Sequence, residues 1–84
     1  MAKDISMAVR KQIYSKFNER CFLCGGYGEE IHHIIPRSED KRLINDPSNL
    51  VLLCHSCHYL VTNIKPLYWK EYLLREVTGY DREI

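Results

Sequence analysis

The apolar positions near the two ends of the chain recur every four residues. Close to the N-terminus, charged and polar residues separate them, which predicts an amphipathic helix over about residues 5–18. Its apolar stripe consists of Ile5, Val9, Ile13 and Phe17. The same spacing returns after Pro66 and predicts a second helix to about Val77. Gly79 then stands where a C-terminal cap would be expected.

Three cations of the first predicted helix lie off its apolar stripe: Arg10, Lys11 and Lys16. The simpler interpretation is a solvated helix face opposite the core. A face that contacts phosphate groups is the functional alternative, and the sequence leaves both open.

The middle of the chain predicts a β-hairpin followed by a short helix. Residues 30–35 have β-branched character and stop at Pro36, and residues 49–53 form a second, mostly apolar strand. The charged segment 37–48 between them is predicted to be an exposed loop. A short helix over about residues 58–63 completes the order α, β, β, α, α. The predicted fold class is therefore a small α+β domain.

The size of the chain limits how much its core can stabilise it. With 84 residues it is predicted to be a single domain whose small core needs a metal ion as a staple. The longest apolar run, residues 50–54, is too short to span a bilayer. The N-terminus also lacks the apolar segment of a signal peptide. We therefore expect a cytoplasmic protein without membrane association.

The net charge of +1 does not indicate a nucleic-acid partner. Any affinity for DNA would have to come from local basic clusters and from bound metal ions.

The four cysteines form two Cys-x₂-Cys pairs, Cys21/Cys24 and Cys54/Cys57. In a reducing compartment such pairs are metal ligands rather than disulfides. Four thiolates complete a tetrahedral shell and select zinc or iron. The sequence therefore predicts a closed, structural zinc site. His55 lies between two of these ligands and is interpreted as a bystander.

Three runs around the cysteines resemble the HNH endonucleases, in the order found in that family. The runs are His32-His33-Ile34-Ile35-Pro36, Asn49-Leu50-Val51-Leu52-Leu53 and Cys54-His55-Ser56-Cys57-His58. The resemblance is greatest to small stand-alone members from phages and bacteria that carry a Cys₄ zinc site. It implies a ββα-metal (His-Me finger) core over about residues 20–63, flanked by helices, in a single nuclease domain spanning residues 1–84.

The resemblance also implies a role for each residue of the motif. His33 would be the general base that activates water, and His32 and His58 would be ligands of a catalytic divalent ion. Asn49 would orient His33 by a hydrogen bond without contacting the ion. Arg37 is a candidate phosphate contact. Neighbouring residues of a strand point to opposite faces, which fits different roles for the two adjacent histidines. Imidazole ligands leave the ion open among Mg²⁺, Mn²⁺, Ni²⁺, Co²⁺ and Zn²⁺.

Two departures from the common family pattern bear on the site. Glu39-Asp40 replaces a frequent Gly-Gly, and acidic residues there could alter how the loop approaches DNA. Thr62 stands where some members carry a further histidine, so the ion would have fewer protein ligands.

The resulting hypothesis is a metal-dependent endonuclease that nicks or cuts DNA and leaves 5′-phosphate and 3′-hydroxyl ends. Double-strand cleavage would favour a homodimer, and the resemblance suggests phage packaging proteins as further partners. One alternative is a non-catalytic, zinc-stabilised module that binds DNA or a protein. The other is a Cys₄ iron redox protein, in which the histidines would have no role.

Overall fold

A computed structural model describes residues 5–36 and 38–82, with side chains as far as Val77. The elements are α1 (Met7–Lys16), β1 (Glu30–His33), β2 (Leu50–Leu53), α2 (His55–Asn63) and α3 (Pro66–Arg82), with 3₁₀ turns at Lys41–Leu43 and Pro47–Asn49. This order confirms the predicted small α+β domain, in which a hairpin is followed by a helix.

Helix α1 is shorter than the predicted span of residues 5–18. It begins after Ser6, whose hydroxyl accepts a hydrogen bond from the Val9 N–H (3.2 Å) and so caps the helix. After the helix, Asn18 and Glu19 adopt positive φ angles of 56° and 59°. This left-handed pair reverses the chain and directs it into the first cysteine pair.

The hairpin is antiparallel, and its register pairs Glu30 with Leu53 and His33 with Leu50. Its strands are shorter than predicted because the ladder ends at His33 and the Pro47–Asn49 turn precedes β2. Successive side chains of a strand alternate between its two faces. Glu30 and His32 therefore share one face of β1.

Strand β2 is the centre of the core. All four of its side chains, Leu50 to Leu53, are fully buried. The reason is that α1, α2 and β1 all pack against this strand, so neither of its faces meets solvent. The rest of the buried apolar set comes from the helices, the segment just after α1 and the turn after β1: Ile13, Phe17, Cys21, Ile34, Val61, Leu73 and Val77.

The two C-terminal helices differ from the sequence prediction at their ends. Helix α2 begins at His55, earlier than residue 58, because the Cys54 side chain caps it and accepts from the Cys57 N–H (3.4 Å). Helix α3 continues to Arg82, so Gly79 lies inside the helix rather than after its end. A glycine inside a helix costs only about 1 kcal/mol, which the long helix tolerates. None of the helices described is both long and apolar enough to cross a membrane.

Gly28 is a point of close approach between the first cysteine loop and β2. A Cβ at this position would lie 2.3 Å from Leu52 Cδ2 and 2.4 Å from Leu52 Cγ. Because Leu52 is fully buried, any movement that made room for this Cβ would have to be accommodated within the core.

We expect Gly28→Ala to lower the free energy of unfolding by about 1–3 kcal/mol, the usual cost of overpacking a core. Urea unfolding at a fixed zinc concentration measures the difference. Gly26→Ala is the matched control, since its Cβ would meet nothing closer than Cys24 Sγ at 3.5 Å. Equal unfolding midpoints for the two variants would contradict the close-packing argument.

Candidate active site

The four cysteines converge on one point. Their sulfur atoms all lie within 4.8 Å of one another, and all four thiols are free of disulfide bonds. Cys24 Sγ and Cys54 Sγ are 3.7 Å apart. A tetrahedral zinc ion with Zn–S bonds of about 2.3 Å sets its sulfur atoms roughly 3.8 Å apart. The cluster therefore fits a closed structural zinc site, as the sequence predicted.

The hairpin is what brings the two cysteine pairs together. The first pair is held against β2, where the Phe22 N–H donates to the Leu52 carbonyl (2.9 Å) and the Glu29 N–H to the Leu53 carbonyl (3.0 Å). The second pair follows β2 directly and forms the first turn of α2. The long stretch of sequence between the pairs is thus folded back on itself, and both pairs meet at one end of the hairpin.

The electrostatics of the cluster are those of a metal-binding donor set. Burial opposes ionisation of Cys21, but hydrogen bonds from backbone N–H groups outweigh it and lower the pKa of Cys21 to about 7. Burial, followed by the neighbouring thiols, raises the pKa of Cys57 above its usual range. Thiolates this close repel one another, so full ionisation of the cluster requires a cation among them.

Three histidines line a single open groove beside α2: His32, His33 and His58. The ring centroids of His32 and His58 are 5.1 Å apart, with the rings inclined at 65°. Burial, reinforced by the nearby imidazoles, lowers the pKa of His32 to about 4. His32 is therefore neutral near pH 7, which is the form that binds a metal ion. The two rings are close enough together to be candidate ligands of one ion.

His33 is oriented by the backbone. Its Nε2 lies 3.1 Å from the Ile44 carbonyl oxygen. Because a carbonyl can only accept, Nε2 carries a proton, so Nδ1 is the nitrogen that can offer a lone pair. A neutral imidazole with one free nitrogen, fixed in an open groove, has the chemistry of a general base.

Asn49 does not make the hydrogen bond to His33 that the resemblance implied. Its side chain is buried, with 3% of its surface exposed, and both its oxygen and its nitrogen are hydrogen-bonded to the backbone of Ile35. Asn49 Oδ1 accepts from the Ile35 N–H (2.8 Å), and Asn49 Nδ2 donates to the Ile35 carbonyl (3.1 Å). Asn49 therefore fixes the chain just after His33, and the Ile44 carbonyl takes the orienting position.

The two departures from the family pattern have local explanations. The Thr62 hydroxyl donates to the His58 carbonyl (2.8 Å) and brings no nitrogen ligand to the groove. Glu39 accepts from Lys70 Nζ (2.9 Å), and Asp40 accepts two hydrogen bonds from the Arg42 guanidinium. The acidic residues thus have cationic partners within the domain. Arg37, the expected phosphate contact, lies outside the described residues.

A carboxylate contact that was not predicted from the sequence joins β1 to α2. Glu30 Oε2 lies 2.9 Å from His55 Nδ1, and Glu30 Oε1 is hydrogen-bonded to His58 Nδ1. These two hydrogen bonds hold the pKa of Glu30 below its usual range, and Glu30 raises the pKa of His55. His55, interpreted from the sequence as a bystander, thus contacts Glu30. One feature of the sequence could have indicated that Glu30 lies near the site. Glu30 precedes His32 by two residues, which places both side chains on one face of the strand.

Comparison with known proteins agrees with the family resemblance noted in the sequence. Residues 18–63 match the family described as HNH endonuclease. A mitochondrial DNA mismatch repair protein mutS homolog from Sarcophyton glaucum is 42% identical over 60 residues, which cover 64% of this chain and 6% of that protein. A probable HNH endonuclease from Lactococcus phage SK1 is 34% identical over 59 residues, which cover 62% of this chain and 63% of that protein.

The chain spans less than two thirds of the length of either relative. No solved structure is significantly similar to it. The matched residues, 18–63, make up more than half of the chain and contain the hairpin, α2 and both cysteine pairs. The chain therefore belongs to the HNH endonuclease family.

Proposed function

We propose that this domain is a divalent-metal-dependent endonuclease that hydrolyses phosphodiester bonds of DNA. The observation that carries the proposal is the placement of His33, oriented by the Ile44 carbonyl, in the same groove as the His32–His58 pair. Membership of the family supports DNA as the substrate. The names of the two relatives, one a DNA mismatch repair protein homologue and the other a probable HNH endonuclease, also support DNA as the substrate.

The proposed mechanism divides the work among the histidines. His32 and His58 would hold a divalent ion, which when bound supplies positive charge to the phosphate and to the departing 3′ oxygen. His33 Nδ1 takes a proton from the water that attacks phosphorus, and the Ile44 carbonyl keeps the ring oriented as it becomes charged. The P–O3′ bond breaks, and the departing 3′ oxygen takes a proton from solvent water, which leaves 5′-phosphate and 3′-hydroxyl ends. Asn49 holds the chain beside the base in place.

Arg10 is our candidate for the phosphate contact in this mechanism. It lines the groove together with the three histidines. Its N–H donates to the Ser6 carbonyl (2.9 Å), and the Ser6 N–H donates to Asn45 Oδ1 (2.8 Å). The start of α1 is therefore fixed against the segment whose Ile44 carbonyl orients the base. From this position Arg10 can contact a phosphate above the histidines, the role expected of Arg37.

A structural zinc ion in the four-cysteine cluster is the second part of the proposal. The donor set is closed, because four thiolates leave no position for substrate. The ion would hold the two cysteine pairs together at the end of the hairpin and would take no part in hydrolysis.

We expect His33→Ala to reduce nicking of supercoiled plasmid in Mn²⁺ or Mg²⁺ by about 100-fold or more, the usual contribution of a general base. Zinc content and the unfolding midpoint should stay those of the parent, because the His33 ring caps only one loop carbonyl. A variant that cuts as fast as the parent would refute the role of His33. A parent that binds DNA but cuts it with none of the five candidate ions would instead indicate the non-catalytic module.

We expect Arg10→Ala to lower kcat/KM for DNA cleavage by roughly 10-fold or more, as for loss of a hydrogen bond to a charged group. Lys11→Ala is the matched control. It removes the same charge from the same helix, but Lys11 lines a different depression with Tyr14, Ser15 and Asn18. Steady-state kinetics at one salt concentration compare the two variants. Equal losses would mean that Arg10 acts only through general attraction to DNA.

We expect the two metal sites to respond differently to removal of their ions. A mild chelator should abolish cleavage but leave zinc bound and the helical circular dichroism intact. A mercurial reagent that blocks the thiols should release zinc and unfold the domain, because a domain of this size depends on its metal. Thiol blockade that releases zinc without loss of helical signal would contradict the scaffold role.

A further inference from the structure

The carboxylate of Glu30 lies between two histidines of α2 and occupies a defined position. Its side chain is 36% exposed and that of His58 is 31% exposed, whereas that of His55 is 76% exposed. Glu30 belongs to β1, where it pairs with Leu53 of the buried strand. The contact between Glu30 and His58 is therefore the more shielded of the two and links the rigid hairpin to the helix.

We propose that Glu30 is a positioning residue that fixes the tautomer and ring orientation of His58 and thereby sets the affinity of the groove for its divalent ion. The inference rests on the proposed function, since it concerns a ligand of the ion assigned there. It adds a determinant of metal affinity that does not itself contact the ion.

The tautomer follows from the hydrogen-bonding capacity of the two groups. An ionised carboxylate only accepts, and Glu30 is bonded to His58 through Nδ1. His58 Nδ1 must therefore carry a proton, so Nε2 is the nitrogen that remains to bind an ion. His58 lines the groove with His32, so the free nitrogen is the one available to an ion.

Several contacts together keep the carboxylate in this position. His55 holds the second oxygen of Glu30, so rotation of the carboxylate would break both hydrogen bonds. The first turn of α2 is itself fixed by Cys54, whose sulfur caps the helix. His55 and His58 are three residues apart on this helix and lie on one face. Glu30 of β1 is thus hydrogen-bonded to two histidines whose spacing is set by helix α2.

A carboxylate that accepts a hydrogen bond from a metal-binding imidazole has two known physical effects. It excludes the wrong tautomer, and it makes the ligating nitrogen more basic. Loss of such a partner weakens metal affinity by about 10- to 100-fold. A carboxylate that served only to pair surface charges would not affect the affinity for an ion in the groove.

The test is Mn²⁺ binding to the zinc-loaded, full-length chain. Mn²⁺ is suited to this purpose because, among the candidate transition-metal ions, it is the weakest competitor for thiolates and will not displace zinc from the cysteines. The free ion is counted by its electron paramagnetic resonance signal. We expect Glu30→Ala to raise the Mn²⁺ dissociation constant by about 10- to 100-fold. Glu30→Gln should lose less, since its amide oxygen can still accept.

Glu29→Ala and Glu29→Gln are the matched controls. Glu29 is the neighbouring residue, is exposed, and carries the same charge, so these variants remove that charge from an adjacent position. We expect both to bind Mn²⁺ as the parent does. If Glu30→Ala fails to fold, the comparison of Glu30→Gln with Glu29→Gln decides, and equal affinities there would overturn the proposal.

The tautomer of His58 gives an independent readout that needs neither Mn²⁺ nor DNA. In ¹⁵N-correlated NMR spectra of the zinc-loaded parent, His58 should be protonated on Nδ1, and in Glu30→Ala it should become a mixture. A fully Nδ1-protonated ring in that variant, or unchanged Mn²⁺ affinity, would overturn the role of Glu30 and leave the proposed nuclease intact. Both proposals would be overturned if the parent did not bind Mn²⁺, or if His58→Ala did not weaken that binding.

Discussion

The convergence of four sulfur atoms at one end of the hairpin is the constraint on which the rest of this structure depends. The core is small, and its centre is a single four-residue strand. The cysteine cluster joins the loop after α1, the end of β2 and the first turn of α2. Because Cys54 both belongs to the cluster and caps α2, the position of the cluster also sets the start and direction of this helix. His55 and His58 lie on that turn, so the same constraint places them opposite β1.

The groove that results gives each imidazole a different environment. His32 is kept neutral by burial, which suits a ligand. His33 donates to a neutral backbone carbonyl, which fixes the ring without stabilising its charged form as strongly as a carboxylate would. His58 donates to a carboxylate, which makes its free nitrogen a better donor to a metal ion. These differences support the division between one base and two ligands more directly than the proximity of the three rings.

The parts of the structure that depend on local spacing could be predicted from the sequence. The four-residue apolar period indicated α1 and α3, and the two Cys-x₂-Cys pairs indicated the cluster. The two short strands predicted between the cysteine pairs, followed by a short predicted helix, indicated the order of hairpin and helix. The length of α3 was underestimated because Gly79 was interpreted as a cap, although glycine is also tolerated within a long helix.

The contacts that could not be predicted join residues distant in sequence through backbone or carboxylate groups. Ile44 holds His33 through its carbonyl, a group that every residue has and that no pattern marks. Asn49 was expected to orient His33, but its two side-chain hydrogen bonds go to the backbone of Ile35. Glu30 reaches a histidine 28 positions away, and this pairing depends on the register of the hairpin. Such contacts require the tertiary fold.

The central claim is that thiolates hold one ion for the scaffold while imidazoles hold a second, separate ion for hydrolysis. Anomalous X-ray diffraction from crystals of the zinc-loaded protein soaked in Mn²⁺, recorded at the zinc and manganese absorption edges, tests it most directly. We expect a zinc peak enclosed by the four sulfur atoms and a distinct manganese peak between His32 and His58, within reach of a water beside His33. A histidine nitrogen bound to the sulfur-held zinc, or manganese bound away from both histidines, would contradict the claim.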